Sequence, residues 1–587
     1  MKKAISTLTA LAAGSLLLGC SDDDHLDELT SFATPLVVAN AASSCAAING
    51  KAIEASQIGL PTAGATVTAA TWRPARGDRP NPAGNAIEQA TPDYCEVLVD
   101  IRPADTSAPP IKAQVNLPAS WNGKKLQFGG SGYNGSLVTG VLPSRAAGPE
   151  VALPLTQGYV TAGTDSGHQN SAGAHPAAFA LNAEALENFA HAAYKKTHDV
   201  ALQVTRLYYG KGVKRSYYMG GSQGGREGMM MAQRYPADFD GIVSIDPVMN
   251  ASGLWTFQNS FGELQRAPGS WLGGKIQLVH DTVAATCDGL DGLRDQVVSN
   301  YQACTPALLQ QAFAARRCAE GREDGNACFA DGQLATLRAA YDGYRFPFAL
   351  ANGIQAYPGY IPGSEGVAGN SDNWQAGSTQ PAPHPDSAPS TSRNYLYGSY
   401  YTRFMIARDP DFDALAYRPA QFQARVLQVS NLIDATDPNL EPFFRRGGKL
   451  ILRENIGDKG QSGRAGLNYF DAVVARMGRP TVDQFFAAYV ATGLGHTSNG
   501  VEAGTPNAPA YGVPGRVDLL SQLDNWVENG VKPADQLMLV NRQPLPPYAI
   551  VASKPMCRYG SYPRFTGAGT AGGDQAGNYA CTADGTP

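Results

Sequence analysis

The sequence predicts an α/β fold in which helices cover a parallel β-sheet and a long irregular insertion interrupts the sheet domain. Short strand-like runs alternate with helical patterns as far as Asp246-Pro247, and glycines stand at the ends of the strand-like runs. That alternation is typical of a parallel sheet covered by helices. The strand pattern then stops and returns at Gly448. We therefore expect one sheet domain made of residues 45–246 and 431–587, with an inserted lid of residues 247–430, rather than two domains in tandem.

Hydrophobic periodicity places the individual elements. A period of two in Glu96–Arg102 and Lys112–Leu117 predicts two antiparallel strands. A helical period extends over Glu184–Tyr209. The last predicted helix is expected to close the fold, and the Pro-, Ser- and Gly-rich run Gly377–Ser392 is expected to stay outside the compact core. Further strands are expected at 125–128, 158–163, 216–219, 241–245, 448–452 and 486–490, and further helices at 225–234 and 517–529.

Composition indicates a folded protein without affinity for nucleic acid. Hydrophobic residues make up 43% of the chain and charged residues 17%, which allows a large core. The formal net charge is −5, and no long run of like charge occurs. Binding to a phosphate backbone requires a basic surface, so no nucleic-acid partner is expected.

The first residues have the pattern of an export signal. A basic start precedes a short apolar run, Leu8–Leu18. The motif Leu17-Leu18-Gly19-Cys20 resembles a bacterial lipobox, which predicts a signal peptide of residues 1–19, lipidation of Cys20 and a tether of residues 20–44. An ordinary cleaved signal is the alternative. Both place the mature protein outside the cytoplasm, either anchored to a membrane as a lipoprotein or secreted. No later run is long and apolar enough to cross a bilayer.

Nine cysteines fit an exported protein, because setting Cys20 aside leaves an even number. An even count outside the cytoplasm indicates disulfides, although the sequence alone allows 105 pairings of eight cysteines. Loop closure favours neighbours. The predicted pairs are Cys45–Cys95, Cys287–Cys304, Cys318–Cys328 and Cys557–Cys581.

The stretch Gly220-Gly221-Ser222-Gln223-Gly224 has the spacing Gly-x-Ser-x-Gly. It lies between a strand-like run and a helical pattern, the context in which a strained turn exposes a serine oxygen. A serine hydroxyl becomes a nucleophile when a base removes its proton. Ser222 is therefore the predicted nucleophile of an α/β-hydrolase fold, and a glycine-rich loop without a catalytic role is the alternative.

In α/β-hydrolases the acid and the histidine follow the nucleophile. Of the eight histidines only His280, His384 and His496 do so. His280 precedes an acidic loop, and His384 lies in the Pro- and Ser-rich run. His496 follows a predicted strand and precedes the last predicted helix, where a base can reach the serine. It is the predicted general base.

The acid should come from the loop after the strand that ends at Leu452. That loop offers Glu454 and Asp458. Asp458 follows a glycine and leaves room for one helix and one strand before His496, so it is the predicted acid that orients and stabilises the imidazole. Glu454 is the alternative candidate for the acid.

An oxyanion needs two backbone N–H donors. The residue after the nucleophile, Gln223, supplies one. The loop Gly129–Gly135 is expected to supply the other, with Gly132 as the candidate. A tight turn without such a role is the alternative.

Several motifs together resemble the tannase/feruloyl esterase family, over a range from about Cys45 to the C-terminus. The resemblance implies a secreted serine esterase with a large lid, and it supports the same triad and oxyanion donors. The matching stretches are Leu117–Gly123, Gly129–Gly135, Gly225–Gly228, Arg234–Gly241 and Trp526–Gly530.

The resemblance also implies a structural calcium ion in the lid. Three carboxylates on the glycine-containing loop Cys287–Val297 suit a cation that prefers oxygen ligands. Members of the family hold calcium here with a set that corresponds to the carboxylates of Asp288, Asp291 and Asp295 and the backbone carbonyls of Leu293 and Val297. The ion is expected to stiffen the lid and to take no part in the chemistry.

The chain departs from the family pattern at three positions. Relatives usually carry cysteines directly before the nucleophile and directly after the histidine, joined by a disulfide. Here those positions are Gly221 and Thr497. Many relatives also carry histidine at the position of Glu454. None of these changes removes a predicted catalytic group.

The expected function is hydrolysis of esters of aromatic, phenolic acids, as in feruloyl esterases and tannases. An alternative is the hydrolysis of mono(2-hydroxyethyl) terephthalate, for which Arg393 or Arg403 of the aromatic lid stretch could pair with the substrate carboxylate. Either arginine could equally lie at the edge of an aromatic core. A different class, a lipid-anchored binding protein without turnover, is the third hypothesis.

Overall fold

A computed structural model describes residues 34–171, 175–385, 391–503, 507–568 and 572–583. The predicted signal peptide and Cys20 lie outside these residues. The predicted tether ends earlier than residue 44, because Leu36–Val37 pairs with Ser120–Trp121 and a helix begins at Ala41.

The described chain forms strands and helices whose bounds follow in chain order. The strands are β1 Leu36–Val37, β2 Ala52–Ile53, β3 Ala65–Arg73, β4 Arg79–Pro80, β5 Ile87–Glu88, β6 Tyr94–Ile101, β7 Ile111–Pro118, β8 Ser120–Trp121, β9 Lys124–Phe128, β10 Val160–Thr164, β11 Arg215–Gly221, β12 Gly241–Ile245, β13 Gly343–Arg345, β14 Ala356–Pro358, β15 Lys449–Asn455, β16 Phe486–Ala491, β17 Gln536–Arg542, β18 Ile550–Arg558, β19 Ser561–Phe565 and β20 Tyr579–Ala583. The helices are α1 Ala41–Ala47, α2 Ala183–Glu187, α3 Ala193–Tyr209, α4 Gln223–Arg234, α5 Ala251–Arg266, α6 Ile276–Cys287, α7 Pro306–Ala314, α8 Asp331–Asp342, α9 Arg393–Tyr400, α10 Gln423–Ile433, α11 Glu441–Arg445, α12 Gly463–Met477, α13 Arg479–Val482 and α14 Leu519–Asn529.

Twelve strands form one mixed sheet, in the order β17-β18-β16-β15-β12-β11-β9-β10-β7-β6-β3-β2. Its centre, from β16 to β10, is parallel, and both edges are antiparallel. The parallel strands are almost wholly buried because α3 and α4 cover one face and α14 the other, as such sheets require. The predicted α/β fold is therefore confirmed.

The chain leaves the sheet after β12 and returns at β15, and the lid lies between them. The predicted lid boundary at residue 430 falls inside α10, because this helix continues to Ile433 before the chain turns back to the sheet. Aromatic side chains dominate the lid core, and α5 and α9 pack along each other.

Two expectations for the fold were wrong. The helix α14 does not close the fold, because β17 and β18 follow it and extend the sheet past β16. The run Gly377–Ser392 is not wholly outside the core, because the Ser392 side chain is buried and caps α9. Residues 386–390 of that run lie outside the described residues.

All four predicted disulfides are present in the structure. One disulfide joins α1 to β6 and another joins β18 to β20. The other two each connect two segments of the lid. Among the described residues, no helix is long and apolar enough to cross a membrane.

Candidate active site

Ser222 lies on the sharp turn between β11 and α4, with φ 58° and ψ −123°. A positive φ is rare for a residue with a Cβ, and it is held here by the packing of the flanking glycines. A Cβ on Gly220 would lie 2.3 Å from the carbonyl oxygen of Gly224, and one on Gly224 would lie 2.7 Å from that of Gly130. The glycines of the motif therefore allow strand, helix and loop to approach closely enough to hold the strained serine.

The three predicted triad residues form a continuous hydrogen-bonded chain. The Nε2 atom of His496 lies 2.9 Å from the Oγ of Ser222, and its Nδ1 lies 2.7 Å from the Oδ2 of Asp458. Ser222 remains partly accessible, whereas Asp458 is fully buried. This arrangement can move the serine proton to the imidazole and hold the resulting imidazolium beside a carboxylate.

Asp458 rather than Glu454 is the acid of this chain of hydrogen bonds. Its other oxygen accepts the backbone N–H groups of Gly460 and Gln461, which fix the carboxylate. Glu454 was expected in the loop, but it lies in β15, because that strand extends to Asn455. Burial and then the charge of Asp246 raise the pKa of Glu454 well above its ordinary value, and its Oε2 accepts a hydrogen bond from Gln461.

Electrostatics favour the protonated form of His496. Burial lowers its pKa, but the charge and hydrogen bond of Asp458 and the charge of Asp246 outweigh burial, so the pKa is raised above 6.5. Asp246 is itself buried and accepts a hydrogen bond of 2.6 Å from the Asn455 side chain. Burial and the charge of Asp458 raise the pKa of Asp246. Asp458, together with the ionised form of Asp246, thus stabilises the charge that the imidazole would acquire.

The backbone N–H groups of Gly132 and Gln223 are free to bind an oxyanion. Neither donates a hydrogen bond to any other residue in the described part of the chain. Gln223 is the first residue of α4, where the N–H has no intrahelical partner. Gly132 has φ +56°, and its Cα faces the hydroxyl of Tyr397.

Two buried charged residues of α4 position the site, and the sequence alone did not identify a role for either of them. Glu227 accepts hydrogen bonds from Gly130 N–H at 3.0 Å, the Asn134 amide at 2.8 Å and the Tyr218 hydroxyl at 2.8 Å. Arg226 donates to the Gln223 side chain and to three backbone carbonyls. Charged residues in an otherwise buried helix directly after Ser222 were the signal that could have identified them.

The lid forms an aromatic wall above the serine. The Trp374 ring meets the His496 ring edge-on at 4.9 Å between centroids, and Tyr397 lies 6.0 Å from Trp374. Tyr133 of the loop Gly129–Gly135 stacks on Tyr397 at 5.3 Å and donates its hydroxyl to the Tyr397 carbonyl. The lid and the candidate oxyanion loop are therefore in direct contact.

The two lid arginines differ in their exposure and in their contacts. Arg393 is exposed, and its guanidinium lies 5.3 Å from the Trp374 ring centroid, next to the site. Arg403 is buried and donates from Nε to the Pro410 carbonyl at 2.7 Å. Arg403 therefore stabilises the lid, and Arg393 is the arginine that can meet a substrate.

Neither of the other two candidate bases, His280 and His384, forms a hydrogen bond with Ser222. His280 pairs with the side chain of Gln296 at 3.0 Å, and His384 lies in the Pro- and Ser-rich run. Thr497 is exposed and bonds to Asn499, while Gly221 is buried at the end of β11.

The predicted calcium loop is rich in buried oxygen atoms. The Asp288 carboxylate accepts the N–H groups of Asp295, Gln296 and Val297. Burial raises the pKa of Asp288 to about 6. In the described chain, the Oδ2 atoms of Asp291 and Asp295 are buried without a hydrogen-bond partner. The Lys554 ammonium lies 4.0 Å from Asp295, so one positive charge faces three carboxylates. The donor set fits a divalent cation that prefers oxygen ligands.

One further cluster brings three potential metal ligands within 4.8 Å of one another, formed by His198, Asp199 and Asp238. Its charge is already compensated, because the Lys195 ammonium lies 2.8 Å and 3.0 Å from the two carboxylates. The Lys125 Nζ lies 3.0 Å from the Nδ1 atom of His198, and burial lowers the pKa of Lys125 to about 7. Both carboxylates and the imidazole of this cluster therefore already have a lysine partner.

The sheet order, the turn at Ser222 and the lid define an α/β-hydrolase. The sequence model described as "Tannase and feruloyl esterase" matches residues 95–582, and the chain belongs to this family of carboxylic ester hydrolases. It is therefore an ester hydrolase of the feruloyl esterase and tannase type.

Individual relatives agree with this assignment. The chain is 35% identical to an uncharacterised esterase of Agrobacterium fabrum, over 92% of this chain and 93% of the relative. It is 29% identical to the mono(2-hydroxyethyl) terephthalate hydrolase of Piscinibacter sakaiensis, over 89% of each chain. The structure of feruloyl esterase B from Aspergillus oryzae matches 92% of this chain and all of that chain with a TM-score of 0.72 and 21% identity, which shows a shared fold.

We predict that Glu227→Gln lowers kcat by about 10- to 100-fold with a smaller change in KM. The amide has only one accepting oxygen, so at least one of the three donors, the Gly130 N–H, the Asn134 amide and the Tyr218 hydroxyl, would face an N–H group. Steady-state kinetics on one ester measure the effect. The control Glu441→Gln removes an exposed carboxylate that pairs with Arg445 and should leave kcat unchanged. An unchanged kcat in Glu227→Gln would contradict the positioning role.

Proposed function

We propose that the protein is an exported serine esterase that cleaves esters of aromatic acids through an acyl intermediate on Ser222. The observation that carries the proposal is the hydrogen-bonded chain from Ser222 through His496 to Asp458, set beneath the aromatic wall of Trp374 and Tyr397. Its class as an ester hydrolase follows from the family.

In the proposed reaction, His496 takes the proton from Ser222 as the oxygen attacks the ester carbonyl. The tetrahedral oxyanion accepts hydrogen bonds from the N–H groups of Gly132 and Gln223. Protonated His496, stabilised by Asp458, then gives its proton to the leaving alcohol. A water molecule activated by the same imidazole hydrolyses the acyl-enzyme and restores Ser222.

The aromatic wall supports an aromatic acyl group. Trp374 and Tyr397 lie against His496 and Gly132 respectively, so a planar ring bound against this wall would have its carbonyl carbon close to Ser222. Stacking of aromatic rings adds to the burial of apolar area. Phenolic esters of the feruloyl and galloyl type have the required planar acid.

A terephthalate monoester is the second candidate substrate. The observation that favours it is Arg393, whose accessible guanidinium lies over the Trp374 ring at the outer end of the same wall. A guanidinium there can form a bidentate pair with a carboxylate on the far end of the acyl ring.

Export is supported by the four disulfides, which persist in oxidising compartments. We propose lipidation at Cys20 on the lipobox-like motif alone, since that residue lies outside the described part of the chain.

We propose that the loop with Asp288, Asp291 and Asp295 binds a structural calcium ion, together with the backbone carbonyls of Leu293 and Val297. Support comes from the two buried carboxylate oxygens without a partner. A bound ion would neutralise the loop, which the Cys287–Cys304 disulfide also closes.

A substrate panel tests the function. We expect kcat/KM for at least one of methyl ferulate, methyl gallate and mono(2-hydroxyethyl) terephthalate to exceed that for p-nitrophenyl acetate, and preference for the last aromatic ester would favour the second candidate. Ser222→Ala should lower kcat by about 1,000-fold or more. Aromatic esters cleaved no better than the generic acetate would refute the substrate class, and failure of a fluorophosphonate to label Ser222 would refute the mechanism.

The acidic limb of the pH profile tests the role of His496. Because the base must be neutral to accept the serine proton, kcat/KM should fall as the pH drops through the raised pKa of His496, with a midpoint above 6.5. The profile of His384→Gln should be unchanged. A midpoint at or below 6.5 in the wild type would contradict the stabilisation of the imidazolium by Asp458 and Asp246.

Removal of calcium tests the metal proposal. A ligand at a hundredfold excess over its Kd stabilises the folded state by about 2.7 kcal/mol, so chelation should lower Tm by about 2 °C for a chain of this size. Added calcium should restore Tm in the wild type but not in Asp291→Asn, whereas Asp281→Asn, exposed on α6, should respond like the wild type. A Tm unaffected by chelation in the wild type would argue against the site.

A further inference from the structure

A guanidinium that the catalytic scheme does not use lies beside the nucleophile. Arg145 belongs to the loop between β9 and β10, and its backbone N–H lies 3.0 Å from the sulfur of Met219. Its side chain packs flat on Gly221, the residue directly before Ser222. A Cβ on Gly221 would lie 2.6 Å from Nε and 2.8 Å from both Cζ and Nη2 of Arg145. The absence of a side chain at position 221 therefore makes the space in which this guanidinium lies.

Arg145 is accessible to solvent although protein surrounds it. Its side chain is exposed. Desolvation nevertheless lowers its pKa, and the nearby charge of Asp246 opposes that effect. The guanidinium is therefore partly enclosed by protein but open to solvent, and it lies on the residue that precedes Ser222.

A second arginine lies on the neighbouring segment. Arg516 precedes α14, and the two segments are joined by a hydrogen bond of 2.7 Å from Val517 N–H to the Ala146 carbonyl. Arg516 is also exposed, and its charge acts against that of Arg145. Across the described residues, neither guanidinium donates a side-chain hydrogen bond or forms an ion pair. Two nearby positive charges without a partner repel each other, and an anion bound by both would remove that repulsion.

Among the described residues, the carboxylate whose charge acts on Arg145 is bound elsewhere. Asp246 is buried, and its oxygens accept the backbone N–H and the side-chain amide of Asn455. The fully buried Arg453 adds a third positive charge nearby and donates to Asn455 and to the Gly515 carbonyl. Positive charge therefore exceeds negative charge on this side of Ser222.

We propose that Arg145 and Arg516 form a subsite for an anionic group, a carboxylate, on the alcohol portion of the ester. The proposal rests on the proposed function, in which the aromatic acyl group lies against Trp374 and Tyr397 of the lid. The alcohol portion then lies on the side of Ser222 that the sheet domain forms, where Arg145 packs on Gly221. The planar fork of arginine pairs with a carboxylate through two parallel hydrogen bonds.

The test uses two alcohols that differ in charge but hardly in shape, glycolate and glycolamide, each esterified with ferulic acid and with acetic acid. The measured quantity is the ratio of kcat/KM for the glycolate ester to that for the glycolamide ester. Differences in the intrinsic reactivity of the two esters cancel when this ratio is compared between variants.

We expect the ratio to fall by about tenfold in Arg145→Gln, as for loss of a charged hydrogen bond, and to recover in part in Arg145→Lys. Arg516→Gln should lower it by a smaller factor. Arg445→Gln, an exposed arginine on α11, should leave both rates unchanged. In the wild type, added salt should lower the ratio, which tests the subsite even if Arg145→Gln fails to fold. The rates should be measured at a pH above the acidic limb of the profile. The charge of Arg145 lowers the pKa of His496, so its replacement would otherwise change the fraction of neutral imidazole.

An equal ratio in the wild type and Arg145→Gln, or a wild-type ratio insensitive to salt, would overturn the subsite. Comparison of the ferulate and acetate esters distinguishes this outcome from failure of the proposed function. If the acetates are cleaved and the ferulates are not, the aromatic-acid assignment fails, while the ratio for the two acetates still decides whether Arg145 recognises a carboxylate.

Discussion

The close packing of glycine backbones around Ser222 is the constraint on which the rest of the site depends. A Cβ on Gly129 would lie 2.6 Å from the Cα of Gly224, so the loop after β9 touches the first turn of α4 directly. The Ser222 N–H also bonds to the Ile245 carbonyl at the end of β12. These contacts hold a non-glycine residue at positive φ, a conformation that costs on the order of 1–3 kcal/mol. Ser222 and the candidate oxyanion donors thus belong to one rigid unit.

Buried polar groups extend this unit outward. Glu227 fixes the loop Gly129–Gly135, and Arg226 connects α4 to the carbonyl of Ile433 at the end of α10. Asp458 is held by the N–H groups that follow it, and Trp374 of the lid covers the imidazole. Each of these groups would be costly to bury without its partners, so the network favours a single arrangement of the site.

Local sequence predicted the parts of the site that local rules govern. The elbow at Ser222 follows from glycine spacing between a strand and a helix, and the order of acid and histidine follows from the topology of the sheet. Glu454 was placed in a loop, because hydrophobicity ends before it although pairing with β16 continues to Asn455. The strands β17 and β18 were missed because their partners lie on an edge that the chain reaches only after α14. Contacts between distant segments, such as Arg145 on Gly221 or Tyr397 on Gly132, leave no local pattern in the sequence.

A crystal structure of the enzyme inactivated by an aromatic phosphonate would test the central claim most directly, because the adduct mimics the tetrahedral intermediate. The account predicts a bond between Ser222 Oγ and phosphorus, with the phosphonyl oxygen within hydrogen-bond distance of the N–H groups of Gly132 and Gln223. It also predicts that the aromatic ring lies against Trp374 and Tyr397. A phosphonyl oxygen directed away from both N–H groups, or an adduct on another residue, would contradict it.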